Sequence, residues 1–378
     1  MRQKNSDLRQ LLASTVLQVR SGRATSRTTL ARALGISAST MGIYVDQLIA
    51  TGHLHESGLD HGLMGRPKRR LSIRSNPGWF AGVEFNADRL QLVGVDFAGL
   101  VIHAETLPLP ENMDAADAKN HLMEVLARLC SRQSTPLLGL GVGAPGLVNT
   151  ESGIALRYSF IKGWENIPLK SFLEEKLSVP VTVESNLRAI ALAEKWFGSH
   201  RELSDYVVVG PRSGFGIACV QRGRLIQGAH YAAGEIGLWP WPLSGDTQAT
   251  EMHRVLSAPM TYRRLAGIAE TAPVPQDLYT AMLSIKSERH PQWDDVITDF
   301  ARVLGCVQLL LDPRICFLHG PLTALGESFC SAIMEASRGI APALKDIRLS
   351  LVCSQLGDDA GALGAASLAM EHWLPKYV

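Results

Sequence analysis

The chain has 378 residues, of which 46% are hydrophobic and 19% are charged, and its formal net charge is +1. This composition is typical of a folded protein with two or three domains, and it excludes a mainly disordered chain. No apolar run reaches the roughly 20 residues that span a bilayer, and the N-terminal segment lacks the features of a secretory signal, so we expect a cytoplasmic protein with no membrane partner.

The first predicted element in chain order is a helix-turn-helix at residues 26–52. Ser26 can cap the first helix through its hydroxyl, and Gly35 supplies the positive φ that ends this helix in a sharp turn. Ser37 can cap the second helix in the same way. The residues that recur at helical spacing and should form the buried stripe of the second helix are Met41, Val45 and Leu48. An ordinary helical hairpin is the alternative interpretation.

Positive charge is concentrated in the same part of the chain. Residues 1–74 contain twelve Lys or Arg and four Asp or Glu, a net charge of +8, which leaves −7 for residues 75–378 because the whole chain carries +1. Such asymmetry is expected when one module meets the phosphates of a nucleic acid. The stretch at residues 65–70, Gly-Arg-Pro-Lys-Arg-Arg, adds an extended basic arm that fits a narrow, A·T-rich minor groove. A solvated basic linker is the alternative.

Together these features predict a winged helix-turn-helix that binds a double-stranded DNA operator. The second helix would place small polar side chains in the major groove, and the basic arm would contact phosphates or the minor groove. The candidate DNA-binding residues are Ser26, Arg27, Thr28, Ser37, Ser39, Thr40, Tyr44, Arg66, Lys68, Arg69 and Arg70.

From residue 79 onward, strands alternate with crossover helices, which is an α/β pattern. A β-β-β-α order opens this region and starts again after residue 206, so we expect two related lobes with a cleft between them. The predicted boundaries are 1–74 for the DNA-binding domain, 75–378 for the α/β domain, 75–198 with 360–374 for its first lobe, and 199–359 for its second lobe.

A series of short motifs follows one another along the chain, each weak when taken alone. In chain order these motifs lie at residues 30–37, 65–67, 143–146, 163–169, 183–186, 191–194, 223–225, 233–237, 312–313 and 361–366. In their joint order, over nearly the whole chain, they resemble the repressor branch of the ROK family (repressors, open reading frames and kinases). The resemblance implies an N-terminal winged helix-turn-helix followed by a two-lobed, actin-like ATPase or sugar-kinase fold.

Three departures from the kinase members of that family predict that catalysis is lost. Residues 84–88 read Glu-Phe-Asn-Ala-Asp in place of the phosphate-binding Asp-x-Gly-Gly-Thr, and residues 210–214 read Gly-Pro-Arg-Ser-Gly in place of Gly-Thr-Gly-x-Gly. The pair Ser185-Asn186 stands where the family has Asn-Asp, so the carboxylate that would accept the sugar proton is missing. We therefore expect no catalytic residue, no enzymatic activity and no cofactor.

The family's structural zinc site is also predicted to be missing. Leu238 stands where many members have His, and residues 239–250 contain none of the cysteines that the resemblance leads one to expect. Zinc prefers a closed set of thiolate and imidazole ligands. The cysteines of the chain are scattered without a Cys-x-x-Cys pair, at positions 130, 219, 306, 316, 330 and 353. We predict free thiols and no metal site.

The resemblance further implies a pocket for a sugar or sugar phosphate effector. Glu235 matches a residue that binds a sugar hydroxyl in the family, and Asn186 matches a second. For the third ligand, the spacing to Ser257 favours His253, whereas the residue type favours Glu251, so both are candidates. Carboxylates and amides bind hydroxyls directionally, which gives such a pocket selectivity. The alternative for Glu235 is a structural carboxylate that caps the following turn.

Three functions are compatible with these patterns. The first is a sugar-responsive repressor that binds a near-palindromic operator as a homodimer or homotetramer. The second is an active sugar kinase with an accessory DNA-binding module, and the third is a DNA-binding scaffold that does not respond to a ligand. The departures from the kinase loops favour the first.

Overall fold

The computed structural model describes residues 2–60, 68–86, 89–110, 113–241, 250–285, 292–340 and 349–376. The chain forms two compact units. The first unit comprises Met1–Asn186 and Ala362–Val378, and the second comprises Leu187–Gly361. Among the described residues, no helix combines the length and the apolar character that a membrane crossing requires.

Helices and strands alternate along most of the chain. The helices are α1 (Arg2–Arg20), α2 (Arg27–Leu34), α3 (Ala38–Ala50), α4 (Ala115–Arg132), α5 (Leu169–Leu177), α6 (Asn186–Phe197), α7 (His253–Leu256), α8 (Ala258–Ala266), α9 (Leu278–Ile285), α10 (Trp293–Leu311), α11 (Gly326–Ile340) and α12 (Ala360–Glu371). The strands are β1 (Leu54–Asp60), β2 (Lys68–Ile73), β3 (Trp79–Phe85), β4 (Arg89–Asp96), β5 (Val101–Pro108), β6 (Leu137–Ala144), β7 (Leu147–Asn149), β8 (Ile154–Arg157), β9 (Glu165–Ile167), β10 (Val181–Ser185), β11 (Tyr206–Val209), β12 (Ile217–Gln221), β13 (Arg224–Leu225), β14 (Pro240–Trp241), β15 (Thr250–Glu251), β16 (Ile315–Leu318) and β17 (Leu351–Cys353).

The N-terminal elements follow the order predicted for a winged helix-turn-helix. Helices α1, α2 and α3 precede an antiparallel ribbon of β1 and β2, whose register shifts at a bulge between Glu56 and Gly58. The ribbon occupies the position of the wing in that motif.

Local hydrogen bonds form the turn between α2 and α3 as predicted. Ser26 caps α2 in a reciprocal capping box with Thr29, and Gly35 follows the helix with a φ of 65°. Ser37 caps α3 by accepting a hydrogen bond from the backbone N–H of Thr40 at 3.1 Å. The predicted stripe of α3 is buried and consists of Met41, Val45 and Leu48. These caps satisfy backbone donors that the first turn of each helix leaves without a helical partner.

Each unit contains a five-stranded mixed sheet, and the two sheets share one topology. In the first unit the strand order is β10-β6-β3-β4-β5, with β3, β4 and β5 antiparallel and β6 and β10 parallel to β3. In the second unit the order is β13-β12-β11-β16-β17, with the same pattern of directions. The predicted repetition of a β-β-β-α pattern is therefore confirmed.

The packing of α12 on the sheet of the first unit depends on two glycines. A Cβ at Gly82 of β3 would lie 2.0 Å from the carbonyl oxygen of Ala362, and a Cβ at Gly141 of β6 would lie 1.6 Å from that of Ala365. Side chains cannot be accommodated at these distances, so the helix and sheet backbones touch only because both positions lack one.

Arg20, at the end of α1, joins the N-terminal helices to the rest of the first unit. Its guanidinium donates hydrogen bonds to the carbonyl oxygen of Phe97 at 2.8 and 3.1 Å and to that of Met370 at 3.3 Å. It also lies 4.7 Å from the centroid of the Phe97 ring, and Trp373 packs edge-on against that ring. Burial lowers the pKa of Arg20 to about 9, against the opposing effect of the Asp96 carboxylate. Arg20 therefore remains charged at neutral pH.

Replacement of Gly141 by Ala should destabilise the first unit, because the new methyl group overlaps the Ala365 carbonyl oxygen and the backbone must move. Overpacking of this kind lowers the free energy of unfolding by about 1–3 kcal/mol, and by more where the clash is with backbone. The measurement is the midpoint of thermal unfolding by circular dichroism.

Gly339→Ala is the matched control for this prediction. Gly339 lies in α11, no atom lies within 4 Å of an added Cβ, and Ala favours a helix over Gly by roughly 0.5–1 kcal/mol. We expect an unchanged or raised midpoint for the control. A wild-type midpoint for Gly141→Ala would show that α12 does not need the close approach.

Candidate functional site

The start of α3 presents hydroxyl groups at the protein surface. Ser37 and Ser39 are exposed, and the Ser37 hydroxyl oxygen lies 3.0 Å from that of Ser39 and 2.8 Å from that of Thr40. Thr28 of α2 is also exposed, whereas Tyr44 of α3 is half-buried. Hydroxyl groups both donate and accept hydrogen bonds, so this surface can contact base edges or phosphate oxygens.

Ser26, another candidate for DNA contact, lies inside the fold. The residue is only 4% exposed, and its hydroxyl oxygen accepts a hydrogen bond from the Thr29 backbone N–H at 3.3 Å and lies 2.9 Å from the Thr29 hydroxyl oxygen. In this structure the Ser26 hydroxyl therefore serves as the cap of α2, and its contact with DNA stays a prediction.

Arg27 and Arg69 belong to a chain of ion pairs. The guanidinium of Arg27 lies 2.6 Å from the carboxylate of Asp46 and 2.6 Å from that of Glu56. Arg69 contacts the other carboxylate oxygen of Glu56. Hydrogen bonds from Arg27 and then Arg69 hold the pKa of Glu56 below its ordinary value. These four residues, which we call the charge network, lie on α2, α3, β1 and β2. Their ion pairs connect the ribbon to α3 through Arg27.

The basic arm is described only in part. Arg66 lies outside the described residues. Lys68 begins β2, where it is paired in register with Asp60, and Arg70 is paired with Gly58 and has an exposed side chain. Arg70 is therefore an exposed cation of the described part of the arm, and its contact with a phosphate stays a prediction.

The effector candidates fall in both units. Asn186 is half-buried at the first position of α6 and belongs to the first unit, whereas Glu235, Glu251 and His253 belong to the second. Within the second unit, Glu251 ends β15 and is exposed, and His253 begins α7 and is half-buried. The sequence leaves the choice between Glu251 and His253 open, and in the structure the two residues differ in exposure.

Glu235 precedes the short 3-10 turn Ile236–Leu238, and its side chain makes no capping hydrogen bond to that turn. Burial raises the pKa of the Glu235 carboxyl, and the guanidinium of Arg188 acts in the opposite direction. Arg188 is itself buried and donates a hydrogen bond to the carbonyl oxygen of Tyr231 at 2.9 Å. A half-buried carboxylate near a cation, with no capping role, is suited to accept hydrogen bonds from a ligand hydroxyl.

The imidazole of His253 is held in a defined orientation. Its Nδ1 accepts a hydrogen bond from the backbone N–H of Phe215 at 2.8 Å, so the neutral ring carries its proton on Nε2. The ring lies against two glycines, since a Cβ at Gly214 or Gly237 would come within 3.0 or 2.4 Å of Nδ1. Burial lowers the pKa of His253, although the Glu251 carboxylate opposes this. The Nε2–H group is thus a donor that a ligand oxygen can use.

In the loop at residues 210–214, the backbone N–H of Arg212 is hydrogen-bonded within the loop. The N–H of Arg212 donates to the carbonyl oxygens of Gly210 and Gly214 at 3.0 and 2.9 Å. Pro211 has no N–H group. A phosphate cradle needs successive N–H groups that point toward the ligand. In this loop residue 211 thus offers no N–H, and the N–H of Arg212 is engaged by carbonyl oxygens of the same loop.

The corresponding loop of the first unit is closed by a side chain. The Asn86 side-chain oxygen accepts a hydrogen bond from the Arg89 N–H at 2.9 Å, and the Asn86 N–H donates to the Arg89 carbonyl oxygen at 3.0 Å. Glu84, which precedes this turn, is fully buried. Residues 87–88, which complete the sequence motif, lie outside the described residues.

Within the described ranges, no group of three or more His, Cys, Asp or Glu side chains is arranged to hold a metal ion. Most of the stretch from which the zinc cysteines are missing, residues 242–249, lies outside those ranges, so the absence of zinc stays a prediction. All six cysteines have free thiols, and the sulfur atoms of Cys330 and Cys353 lie 3.6 Å apart.

The sequence is similar to the ROK family and to xylose repressors. The sequence profile of the ROK family matches residues 80–372. The xylose repressor of Caldicellulosiruptor bescii is 30% identical over 234 residues, which cover 60% of this chain and 57% of that protein. The xylose repressor of Bacillus spizizenii is 24% identical over 357 residues, which cover 92% of each chain.

Solved structures share the fold over most of the chain. A ROK family transcriptional regulator, described as a homologue of the Escherichia coli MLC protein, superposes with a TM-score of 0.77 at 22% identity and covers 96% of both chains. A ROK family glucokinase from Streptomyces griseus, in complex with glucose and AMPPNP, superposes with a TM-score of 0.63 at 19% identity. It covers 77% of this chain and 99% of its own. At these identities the likeness concerns the fold.

The buried imidazole predicts a specific pH dependence of stability. The folded-state pKa of His253 lies below its ordinary value, so on acidification the unfolded chain takes up a proton that the folded chain does not. Stability should therefore fall as the pH drops through about 6.5, and His253→Asn should lose less stability than the wild type between about pH 8 and pH 5.5. Thermal midpoints at the two pH values provide the measurement.

The choice of Asn provides an internal control, because its side-chain oxygen can accept the Phe215 N–H in place of Nδ1. His253→Ala leaves that N–H without its acceptor and should be less stable than His253→Asn by about 1–3 kcal/mol at the higher pH. Equal pH dependence of the wild type and both variants would mean that His253 titrates as it does in the unfolded chain.

Proposed function

This chain belongs to the ROK family, and we propose that it is a transcriptional regulator that binds operator DNA and responds to a sugar or sugar phosphate without phosphorylating it. The observation that carries the proposal is a winged helix-turn-helix arrangement with a net charge of +8 in residues 1–74, joined to a ROK domain. We place the protein in the cytoplasm, where its operator would be.

On this proposal residues 1–74 form the DNA-binding domain and residues 75–378 the ligand-binding domain. Helix α3 enters the major groove with its first turn leading, and the exposed Arg70 on the ribbon contacts the sugar-phosphate backbone. A homodimer or homotetramer would present two such helices to the two halves of a near-palindromic operator. The xylose repressors among the relatives favour repression of carbohydrate genes as the regulatory outcome.

The proposal that the chain is not an enzyme rests on what phosphoryl transfer requires. A kinase holds the nucleotide phosphates with outward-pointing N–H groups and places a base beside the attacking hydroxyl. In this chain Pro211 has no N–H, the N–H of Arg212 is bonded within its own loop, and Asn186 has an amide where a carboxylate would act as base. Each change on its own reduces catalysis, and the three together remove separate parts of the mechanism.

Within the second unit the proposed ligands of the effector are Glu235 and His253, and we favour His253 over Glu251 because Glu251 is exposed. Glu235 can accept a hydrogen bond from a sugar hydroxyl, and the Nε2–H of His253 can donate one. A sugar changes the affinity for DNA only by as much as it prefers one of the protein's two states, so the regulator needs differential contacts as well as tight binding.

DNA binding predicts a salt-dependent affinity to which Arg70 contributes. Fluorescence anisotropy with an operator selected from genomic fragments should show that Arg70→Ala weakens binding to all sequences alike. The same substitution should also reduce the slope of log affinity against log salt concentration by about one for each DNA-binding domain bound.

The control is Arg338→Ala, which removes an exposed arginine of the second unit and should bind as the wild type does. If no genomic fragment is bound in preference to others, the DNA-binding proposal is wrong.

Effector binding predicts a ligand-dependent rise in the thermal midpoint. In a panel of sugars and sugar phosphates, a ligand present at about 100 times its Kd should add roughly 2.7 kcal/mol to the stability of the state that binds it. Glu235→Gln should abolish this rise, because the amide replaces the accepting carboxylate with a group of half its acceptor capacity.

Glu335→Gln, at an exposed position of α11, is the control and should keep the full response. A flat panel would favour the ligand-independent scaffold. The glucokinase with the same fold makes an active kinase the second candidate, so the panel is repeated with a coupled assay for ATP consumption. Turnover that Glu235→Gln removes would overturn the non-enzymatic proposal.

A further inference from the structure

We propose that Ile43 of α3 determines operator specificity by contacting the C5-methyl group of a thymine in the major groove. The inference rests on the proposed DNA-binding function and adds the kind of base that the recognition helix reads.

Ile43 is a large aliphatic residue that the fold does not bury. Its relative exposure is 65%, whereas the inward stripe of the same helix, Met41, Val45 and Leu48, is at most 1% exposed. Burial of an aliphatic side chain stabilises the state that buries it, and at this position the protein itself gains only the smaller part of that stabilisation. An exposed aliphatic residue on the helix that enters the groove gains that contact only when a partner binds.

The neighbouring Gly42 supports the same conclusion independently. A glycine inside a helix is destabilising relative to alanine. Apart from its chain neighbours and the backbone of its own helix, no atom of the described residues lies within 4 Å of a Cβ built at Gly42, so packing among those residues does not require a small residue there. A partner that approaches the helix backbone closely beside Ile43 would require one.

The charges of α3 indicate which base edge the helix can read. The helix contains no Lys or Arg, and its one charged residue, Asp46, is ion-paired with Arg27. Bidentate contact to guanine, which is the commonest specific contact, needs Arg or Lys. The residues offered at the start of the helix are hydroxyls, which suit several bases, and the aliphatic Ile43. The thymine methyl is the apolar group that a base pair presents in the major groove.

Cations beside the helix provide the contact to the phosphates. Arg32 of α2 and Arg70 of β2 are exposed. Affinity and register would then come from these arginines, and sequence preference from the neutral surface of α3. The two contributions can be separated by experiment, because they respond to different changes in the DNA.

The test removes single methyl groups from the DNA. The operator is selected from genomic fragments with the full chain, and each thymine is then replaced in turn by uracil, which differs from it only by the C5-methyl. For the wild type we expect one or two positions per half-site at which uracil weakens binding about threefold to fivefold, the size expected for one buried methyl group. At those positions Ile43→Ala should bind thymine and uracil DNA equally.

This design is a double-mutant cycle between one side chain and one methyl group. Ile43→Val, which keeps the branched carbon, should keep part of the uracil penalty. Leu100→Ala changes another exposed aliphatic residue, at the turn before β5, and should keep all of it. The proposal is overturned if the wild type is indifferent to uracil, or if the penalty persists in Ile43→Ala. Failure of the DNA-binding function itself is distinct, because the wild type would then select no fragment.

Discussion

The first unit depends on the direct contact between the backbone of α12 and the glycines of its sheet. Because β3 and β6 lack side chains at the two contact points, the backbone of α12 touches the sheet, and the C-terminal end of α12 and the residues after it contact α1. The carbonyl oxygens of Met370 and Pro375 then accept hydrogen bonds from Arg20 and Arg9, the latter at 2.7 Å. Both arginines lie on α1, so this helix binds the C-terminal segment. The same helix also contacts α2 and α3. The position of the proposed DNA-reading helix is therefore linked to a contact that is far from it in sequence.

The charge network has a related effect within the winged helix. Ion pairs at a protein surface contribute little to the free energy of unfolding, typically 0–1 kcal/mol each. Their geometric effect is larger here, because one carboxylate, that of Glu56, is shared by an arginine of α2 and an arginine of β2. The guanidinium of Arg27 contacts Asp46 of α3 and Glu56 of β1 through different nitrogens, so the network constrains the angle between the ribbon and α3. On the proposed function this angle decides which groove contacts can be made together.

On the proposed function, the second unit would bind a sugar without binding a nucleotide. Binding of phosphates requires a run of backbone donors, and a single proline together with one internally bonded N–H, at Pro211 and Arg212, interrupts that run. Recognition of a sugar requires only a few directional groups in a half-buried surface, and on the proposed function Glu235 and His253 would provide an acceptor and a donor. Nucleotide binding and sugar binding require different groups on the same fold, so one can be lost while the other remains.

The sequence by itself determined the order and type of the main elements, because their signals are local. Serine caps, helical spacing and Gly35 predicted the turn between α2 and α3, and alternating strands predicted the sheet of each unit. The short strands β7–β9, β14 and β15 were not predicted, since segments of two to four residues carry too little pattern. Only the tertiary structure decided that His253 packs against glycine backbone while Glu251 faces solvent, and that Arg27 pairs with Glu56 instead of standing free. Arg27 and Glu56 are distant in the chain, whereas Glu251 and His253 are near neighbours whose side chains have different surroundings. Both outcomes depend on how the elements pack against one another, and the local spacing of residues in the sequence contains no information about that packing.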